Sequence, residues 1–461
     1  MILNPKIFRA YDIRGEAFVD FDEDGFFLIA QAFSTHIKTK HNVDSPRIFV
    51  SGDGRQSMPE LWPAVVAGLE SSGAQVVFGG AIPTPMNYFS LSAEGFDAAI
   101  QISASHNPAA DNGLKLTDKW GAVCGDEIQE IRKLAECRVC EKISETRGGC
   151  VDNCQKFDLL PAYKQMLHER NVPHSQAKKL VIDAGNAIPG LFYPDLLRSF
   201  GHEVNELYCD LNTTFPNHQP DPERSENLAE LVQSVQQNQA DFGFAFDGDG
   251  DRIGVVLSDG TILNADKILF VLASDFLTRN PREKIVLDAM CSDVLAAKIE
   301  AKGGEVVWSK TGHSHIEHAM KNSGALFGGE QSGHIMFGEN FFGYDDALVA
   351  AIRFLQALEN NPSLLKEVTD GWPELLETSE KFLTTDEQKF KILGQFVADI
   401  QKKFPQVNTI DGARISFGNN EWAIVRCSNT TPKIAVRIEA QSEENLKQYA
   451  EDLIVPLQRL L

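Results

Sequence analysis

Asp247-Gly248-Asp249-Gly250-Asp251-Arg252 sets three carboxylates at alternate positions with only glycine between them. Glycine lets the backbone follow a tight, positive-φ path. The three aspartates can therefore turn their oxygens toward one point. Clustered carboxylates repel one another, and a hard cation relieves that repulsion. An all-oxygen ligand set favours Mg2+, Ca2+ or Mn2+ over zinc. Two rival uses of the same residues are weaker. Asp-Gly pairs also make hairpin turns. A calcium EF-hand, counted from Asp247, needs glycine at its sixth place and glutamate at its twelfth; this chain has Arg252 and Ser258 there.

Other loops carry complementary chemistry. Ala98-Ala-Ile-Gln-Ile102 reads as an apolar strand that delivers Ser105 and His106 onto a turn, with Asp111-Asn-Gly-Leu-Lys115 just beyond. Serine is a poor nucleophile unless activated, and its surroundings are not a G-x-S-x-G elbow. A phosphate on Ser105 would make it an anionic ligand that completes the shell of a cation held by the aspartates. Glu330 and Ser332, in Phe327-Gly-Gly-Glu-Gln-Ser-Gly-His334, face one side if the loop is extended. A carboxylate and a hydroxyl on one side suit vicinal sugar hydroxyls. Arg426-Cys-Ser-Asn-Thr-Thr-Pro432 offers a forked guanidinium, the side chains of Ser428, Asn429 and Thr430, and successive backbone N–H groups able to cradle an anion. Phe8–Gly15 adds Tyr11 and Arg14. Lys310-Thr-Gly-His313-Ser314 follows a strand, where α/β folds bind ligands.

The elements that must hold these loops repeat three times: strand, acidic or glycine turn, helix, glycine, strand. The strands start at Arg47, Leu180 and Ile285, and the helices are expected near 58–72, 193–200 and 293–302. Apolar strands joined by helices imply βαβ units buried on both faces. From about Trp372, short alternating strands precede a helix capped by Ser442, an α+β pattern. The expected segments are 1–155, 156–260, 261–366 and 367–461.

Composition narrows the function classes. The 461 residues carry a net charge of −22 and are 43% hydrophobic. Such a surface repels nucleic acid and anionic membranes, so any anion site must be locally basic. No apolar run is long enough for a membrane span, and the first residues lack a signal-peptide pattern; a cytoplasmic protein is expected. Cys137, Cys140, Cys150 and Cys154 have spacings that suit a small structural zinc site.

Taken together, these loops closely resemble the α-D-phosphohexomutases, in particular the bacterial phosphomannomutase/phosphoglucomutase group. The shared stretches are Phe8–Gly15, Ile82-Pro-Thr-Pro85, Ser103–Pro108, Phe215–Asp221, Asp247–Arg252, Lys310–His313, Gly329–His334 and Arg426–Pro432, nearly end to end. The resemblance implies three similar α/β mixed-sheet domains plus a flexible C-terminal α+β domain, arranged around a central cleft. It implies that Ser105 is a phosphoserine and that Asp247, Asp249 and Asp251 bind Mg2+ together with the group on Ser105. By the same carry-over, Glu330 and Ser332 read sugar hydroxyls. Arg426, Ser428, Asn429 and Thr430 hold the non-reacting phosphate. Tyr11, Arg14, Lys115, Arg252, His313 and His334 line the site.

The implied activity interconverts hexose 1-phosphate and hexose 6-phosphate of mannose or glucose. It runs through a bisphosphorylated sugar, with hexose 1,6-bisphosphate as activator. Lys115 and Arg252 stabilise charge, and His106 or His313 serves as general base. Two departures stand out. Ser51-Gly-Asp-Gly-Arg55 differs from the Gly-Arg-Asp-Gly-Arg common in the family. Met290 stands where the close group often has lysine. Ser103-Ala-Ser105 and Gly329-Glu-Gln-Ser332 also look like phosphoglucosamine mutases. A non-catalytic sugar-phosphate sensor and a metal-dependent phosphatase are readings from other classes. Phosphorylated hexoses are the expected partners, with no nucleic acid or membrane; the sequence does not fix an oligomeric state.

Overall fold

Each βα repeat expected from the apolar strands forms in the computed structural model, which describes residues 3–137, 154–428 and 431–461. The helices run over Met58–Ser71, Tyr193–Ser199 and Asp293–Ala301. Two compact units result. One holds residues 1–264 and 332–356, the other residues 265–331 and 357–461.

The first unit contains two mixed sheets. In one, strands Ala98–Ile102, Arg47–Gly52 and Gln75–Ala81 lie parallel, and Asp111–Asp118 runs antiparallel beside Ala98–Ile102. Ile48, Val50, Ile100, Ile102 and Leu114 pack with Phe26 and Phe33 of helix Glu23–His41 in one apolar cluster. Burying each such side chain stabilises the fold by roughly 1.5–3 kcal/mol. In the other sheet, Phe242–Phe246 lies parallel to Lys179–Asp183 and antiparallel to Ile253–Leu257. Both sheets present the carboxyl ends of their parallel strands to the chemical loops: Ile102 leads to Ser105, and Phe246 leads to Asp247.

The second unit joins a parallel sheet to an antiparallel one. Lys284–Asp288 pairs in parallel with Glu305–Ser309 and Phe327–Gly329. Leu376–Leu383, Lys433–Ala440, Glu421–Cys427 and Ala413–Gly418 follow in that order, all antiparallel. Helix Glu443–Gln458 starts as expected: the Ser442 side chain accepts from Asn445 N, and Glu443 and Glu444 occupy the first turn, where carboxylates favour the helix dipole.

A cation fastens these two sheets to each other. The Arg414 guanidinium lies 3.8 Å from the Trp308 ring centroid and 4.5 Å from that of Trp422. It donates to the carbonyls of Ala289 and Cys291 at 3.1 and 2.9 Å and pairs with Asp293 at 2.7 Å. Arg437 donates to the Met290 carbonyl at 3.0 Å. A desolvated cation over an aromatic face is worth about 2 kcal/mol.

No helix among the described residues is long and apolar enough to cross a membrane. Of the four-cysteine cluster, Cys140 and Cys150 lie outside the described residues. Cys137 is exposed, and Cys154 is buried with its thiol 3.8 Å from the Val76 carbonyl.

Candidate functional site

Ser105 sits just past the buried strand Ala98–Ile102 with φ at 50°, a left-handed conformation that few side chains adopt. Arg55 holds it there. The buried guanidinium donates to the carbonyls of Ser105, Asn107, Pro108 and Asp111 at 2.7–2.9 Å and to Asp53 Oδ2 at 3.0 Å. Ser103 Oγ accepts from Ser105 N and donates to Asp53 Oδ2.

The carboxylate loop meets this turn directly. Ser105 Oγ donates to Asp247 Oδ2 at 2.6 Å, and His106 Nδ1 lies 3.2 Å from the same hydroxyl. A Cβ on Gly248 would fall 2.2 Å from the Ser105 carbonyl oxygen; glycine there allows the two loops to touch. Gly250 takes φ at 82°. Its loop is tied by Asp247 Oδ1, which accepts the N–H groups of Gly250, Asp251 and Arg252 at 3.0–3.1 Å.

Asp247, Asp249 and Asp251 are fully buried, each with a carboxylate oxygen within 4.8 Å of the others. Lys115 Nζ bridges Asp249 Oδ2 and Asp251 Oδ2 at 2.6 and 2.5 Å. Thr84 Oγ1 donates to Asp249 Oδ2 at 2.5 Å. Among the described residues, Asp249 Oδ1 has no hydrogen-bond donor, and Asp251 Oδ1 faces His334 Nε2 at 3.3 Å. A buried carboxylate oxygen without a donor, in an all-oxygen trio, fits a hard divalent cation.

The electrostatics follow from crowding. Burial, then Asp251 and Asp249, push Asp247 well above the usual carboxylate range. Burial is the largest influence and opposes charge on Asp249 and Asp251, but Lys115 together with Thr84 at Asp249, and Lys115 together with His334 and Arg252 at Asp251, hold both below that range. Lys115 rises well above its ordinary value because Asp249 and Asp251 overcome its desolvation. Burial, followed by the charges of Arg252 and Arg14, lowers His106 well below the usual imidazole range, so its ring stays neutral.

The remaining expected residues of this unit lie close by. Arg252 Nε donates to His334 Nε2 at 3.3 Å and lies 4.0 Å from Asp247 Oδ2. Ser332 Oγ is 2.9 Å from His334 Nδ1. Arg14 pairs with Asp12 at 2.5 Å and reaches the Ala104 carbonyl at 3.4 Å. Tyr11 is half-buried in the strap before it. Arg55, Asp53, Ser103 and Thr84 have structural roles here that sequence reasoning missed. Thr84 had a signal in Ile82-Pro-Thr-Pro85, and Ser103 had one in its two-residue spacing from Ser105.

The second unit carries the other loops. Glu330 Oε1 accepts from Gly312 N, at the start of helix His313–Ser323. His313 is buried, with Nε2 3.4 Å from Ser314 Oγ. Gln331 and Ser332 form a turn rather than the extended stretch expected. Arg426 Nε donates to Asp411 Oδ2 at 2.7 Å. Ser428 Oγ accepts from Thr431 N and Thr431 Oγ1 at 3.2 and 2.8 Å. Lys389, buried and unnoticed in the sequence, donates to the Ser428 carbonyl at 2.8 Å. Asn429 and Thr430 lie outside the described residues. Met290 packs against a cluster of Ala289, Trp422 and Ile424, so its side chain serves an apolar contact.

Comparison with known proteins places this geometry. The phosphoglucomutase/phosphomannomutase alpha/beta/alpha domains I, II and III match residues 5–138, 161–260 and 264–375, and the C-terminal domain of the same family matches 381–454. A phosphomannomutase/phosphoglucomutase of Pseudomonas aeruginosa is 36% identical over 447 residues, covering 97% of this chain and 94% of its own length. A phosphoglucomutase of Neisseria meningitidis is 37% identical over 450 residues, covering 96% and 94%. The crystal structure of a phosphoglucomutase/phosphomannomutase family protein from Burkholderia thailandensis superposes with a TM-score of 0.88 at 34% identity, covering 100% of this chain and 98% of that one. With all four domains matched and the likeness running nearly end to end, the chain belongs to the phosphoglucomutase/phosphomannomutase family of bacterial α-D-phosphohexomutases, phosphotransferases of the isomerase class.

Proposed function

We propose that this chain is a Mg2+-dependent phosphohexomutase that interconverts the 1- and 6-phosphates of mannose and glucose. The observation that carries the reading is the 2.6 Å contact between Ser105 Oγ and Asp247 Oδ2 within the buried carboxylate trio. A hydroxyl nucleophile at a hard-cation site is the arrangement phosphoryl transfer uses. The relatives named phosphomannomutase/phosphoglucomutase and phosphoglucomutase support the substrate class.

Ser105 carries the phosphoryl group and gives it to the free hydroxyl of the bound sugar phosphate. The bond from phosphorus to Ser105 Oγ breaks as the bond to the sugar oxygen forms. The hydroxyl proton passes to a base, and neutral His106, 3.2 Å from Ser105 Oγ, is the favoured one. The sugar bisphosphate then reorients and returns its other phosphoryl group to Ser105. Added hexose 1,6-bisphosphate restores any Ser105 that has lost its phosphate. Asp247, Asp249 and Asp251 would hold Mg2+, which would supply neutralisation of phosphoryl charge.

Lys115 and Arg252 add fixed positive charge, which stabilises the transition state without reorganisation. Glu330 and Ser332 read the sugar hydroxyls. Arg426, Ser428, Asn429 and Thr430 hold the phosphate that is not reacting. Tyr11, Arg14, His313 and His334 complete the lining.

A side-by-side assay of mannose, glucose and glucosamine 1-phosphates tests the reading, with intact-mass detection of phosphate on Ser105. Mannose and glucose 1-phosphates should be converted, with stimulation by the 1,6-bisphosphate. Ser105→Ala should fold normally and lose turnover by at least about a thousandfold. Full activity in that variant would end the phosphoserine mechanism. Preference for glucosamine 1-phosphate would move the substrate assignment to that sugar.

A further inference from the structure

The three parallel strands of the second unit end in three loops, and one buried carboxylate ties them together. Asp288 closes strand Lys284–Asp288 and is 1% exposed. Its Oδ2 accepts from Thr311 Oγ1 at 2.9 Å, just beyond strand Glu305–Ser309. Its Oδ1 accepts from Gln331 N at 3.1 Å, just beyond strand Phe327–Gly329, and from the Cys291 thiol at 3.0 Å. The neighbouring residues are joined in parallel, because Gly312 N donates to Glu330 Oε1. The Thr311–Gly312 and Glu330–Gln331 segments are thus held together at two points.

Thr311 also has a second direction of contact. Its N–H donates to Asp411 Oδ2 at 3.2 Å, and the same oxygen accepts from Arg426 Nε at 2.7 Å. The chain of bonds runs from Gln331 through Asp288, Thr311 and Asp411 to Arg426. Buried networks whose members are satisfied rigidify the groups they join. Burial and the adjacent Glu330 charge raise Asp288 to about 6, so the three donors offset part of the penalty of keeping a carboxylate there.

We propose that Thr311 is a positioning residue that fixes the sugar-reading carboxylate Glu330 at a set distance from the phosphate-holding guanidinium Arg426. The proposal rests on the roles given to Glu330 and Arg426 above. It has a consequence specific to the ligand. A hexose phosphate must satisfy both groups at once, so it depends on their spacing. Inorganic phosphate needs only the anion loop, so it does not. Thr311 itself touches neither the sugar nor the phosphate in this account.

The test compares Thr311→Val, which removes the hydroxyl but keeps the N–H bond to Asp411, with Thr311→Ser, which keeps both. Misplacement of binding groups by even 1 Å can lower rates a hundredfold. Thr311→Val should raise KM for glucose 1-phosphate about tenfold or more, with inhibition by inorganic phosphate unchanged. Thr311→Ser should stay near the parent protein. Asp288→Asn, at the other end of the same bond, reads the same split independently of how well Thr311→Val folds. An unchanged KM in both Thr311→Val and Asp288→Asn overturns the proposal. So does an equal loss of inorganic phosphate binding, or a Thr311→Ser variant as impaired as Thr311→Val. Glu330→Gln, assayed beside them, checks the reading underneath. If it leaves KM unchanged, that reading falls and the proposal with it. If it raises KM while Thr311→Val and Asp288→Asn do not, the proposal alone falls.

Discussion

Arg55 Nη2 donates to the Ser105 carbonyl at 2.7 Å from a guanidinium that is 1% exposed. The backbone at Ser105 is therefore held by a buried cation, which also faces Asp53 and three further carbonyls of the same turn. A serine in left-handed conformation costs of order 1 kcal/mol and persists only where its surroundings over-determine it. Arg55 supplies that constraint.

Arg55→Ala should leave Asp53 buried without its countercharge. Breaking a buried pair in this way destabilises by about 3–5 kcal/mol. Urea unfolding should show that loss, and turnover should fall steeply at temperatures where the variant is still folded. Arg55→Lys should rescue little, because an ammonium cannot serve four carbonyls in a fixed fork. A variant with parental stability would show that the turn holds itself.

Mg2+ affinity should depend on the state of Ser105. The aspartate trio offers an incomplete oxygen shell, and a phosphoryl group on Ser105 adds strong anionic oxygens beside Asp247. Calorimetric titration should find tighter Mg2+ binding in the phospho form than in the dephospho form. Equal affinities would contradict the shared shell.

Asp266 gives a pH dependence away from the reacting groups. Burial raises its carboxyl to about 7, partly countered by Arg437, against about 3.9 in an unfolded chain. The folded value lies above the unfolded one, so the folded protein binds the extra proton between about pH 4 and 7 and loses stability as the pH rises through that window. Asp266→Asn should gain stability relative to the parent by roughly 2–3 kcal/mol between pH 5 and pH 8. Urea unfolding at both pH values checks this; the same difference at both would rule out the titration.

Much of the scaffold was legible because it is built from local patterns. Apolar runs such as Ala98–Ile100 and Ile285–Leu287 must be buried, and the helices between strands start near the residues expected. Ser442 caps its helix as its side-chain chemistry dictates. The chemical loops were also legible, since Asp247, Asp249 and Asp251 lie within six residues of one another and Ser105 lies beside His106. Met290 illustrates the limit. A methionine where the close group often has lysine gives no hint of its partners, Trp422 and Ile424, which lie far along the chain.

The sequence by itself determined which loops are candidates for the chemistry, because alternating Asp and Gly, a serine after an apolar strand and the Arg426-Cys-Ser428 stretch are local in the chain. It could not say what holds them. Arg55 reaching the Ser105 carbonyl, Lys115 bridging Asp249 and Asp251, and Thr311 joining Asp288 to Asp411 all link residues separated by 23 to 136 positions. Such contacts form only when sheets and helices pack. The energies that fix them, desolvation and charge–charge attraction in a buried setting, have no value until the surrounding chain excludes water. Tertiary structure therefore decided how the reactive groups are oriented and charged.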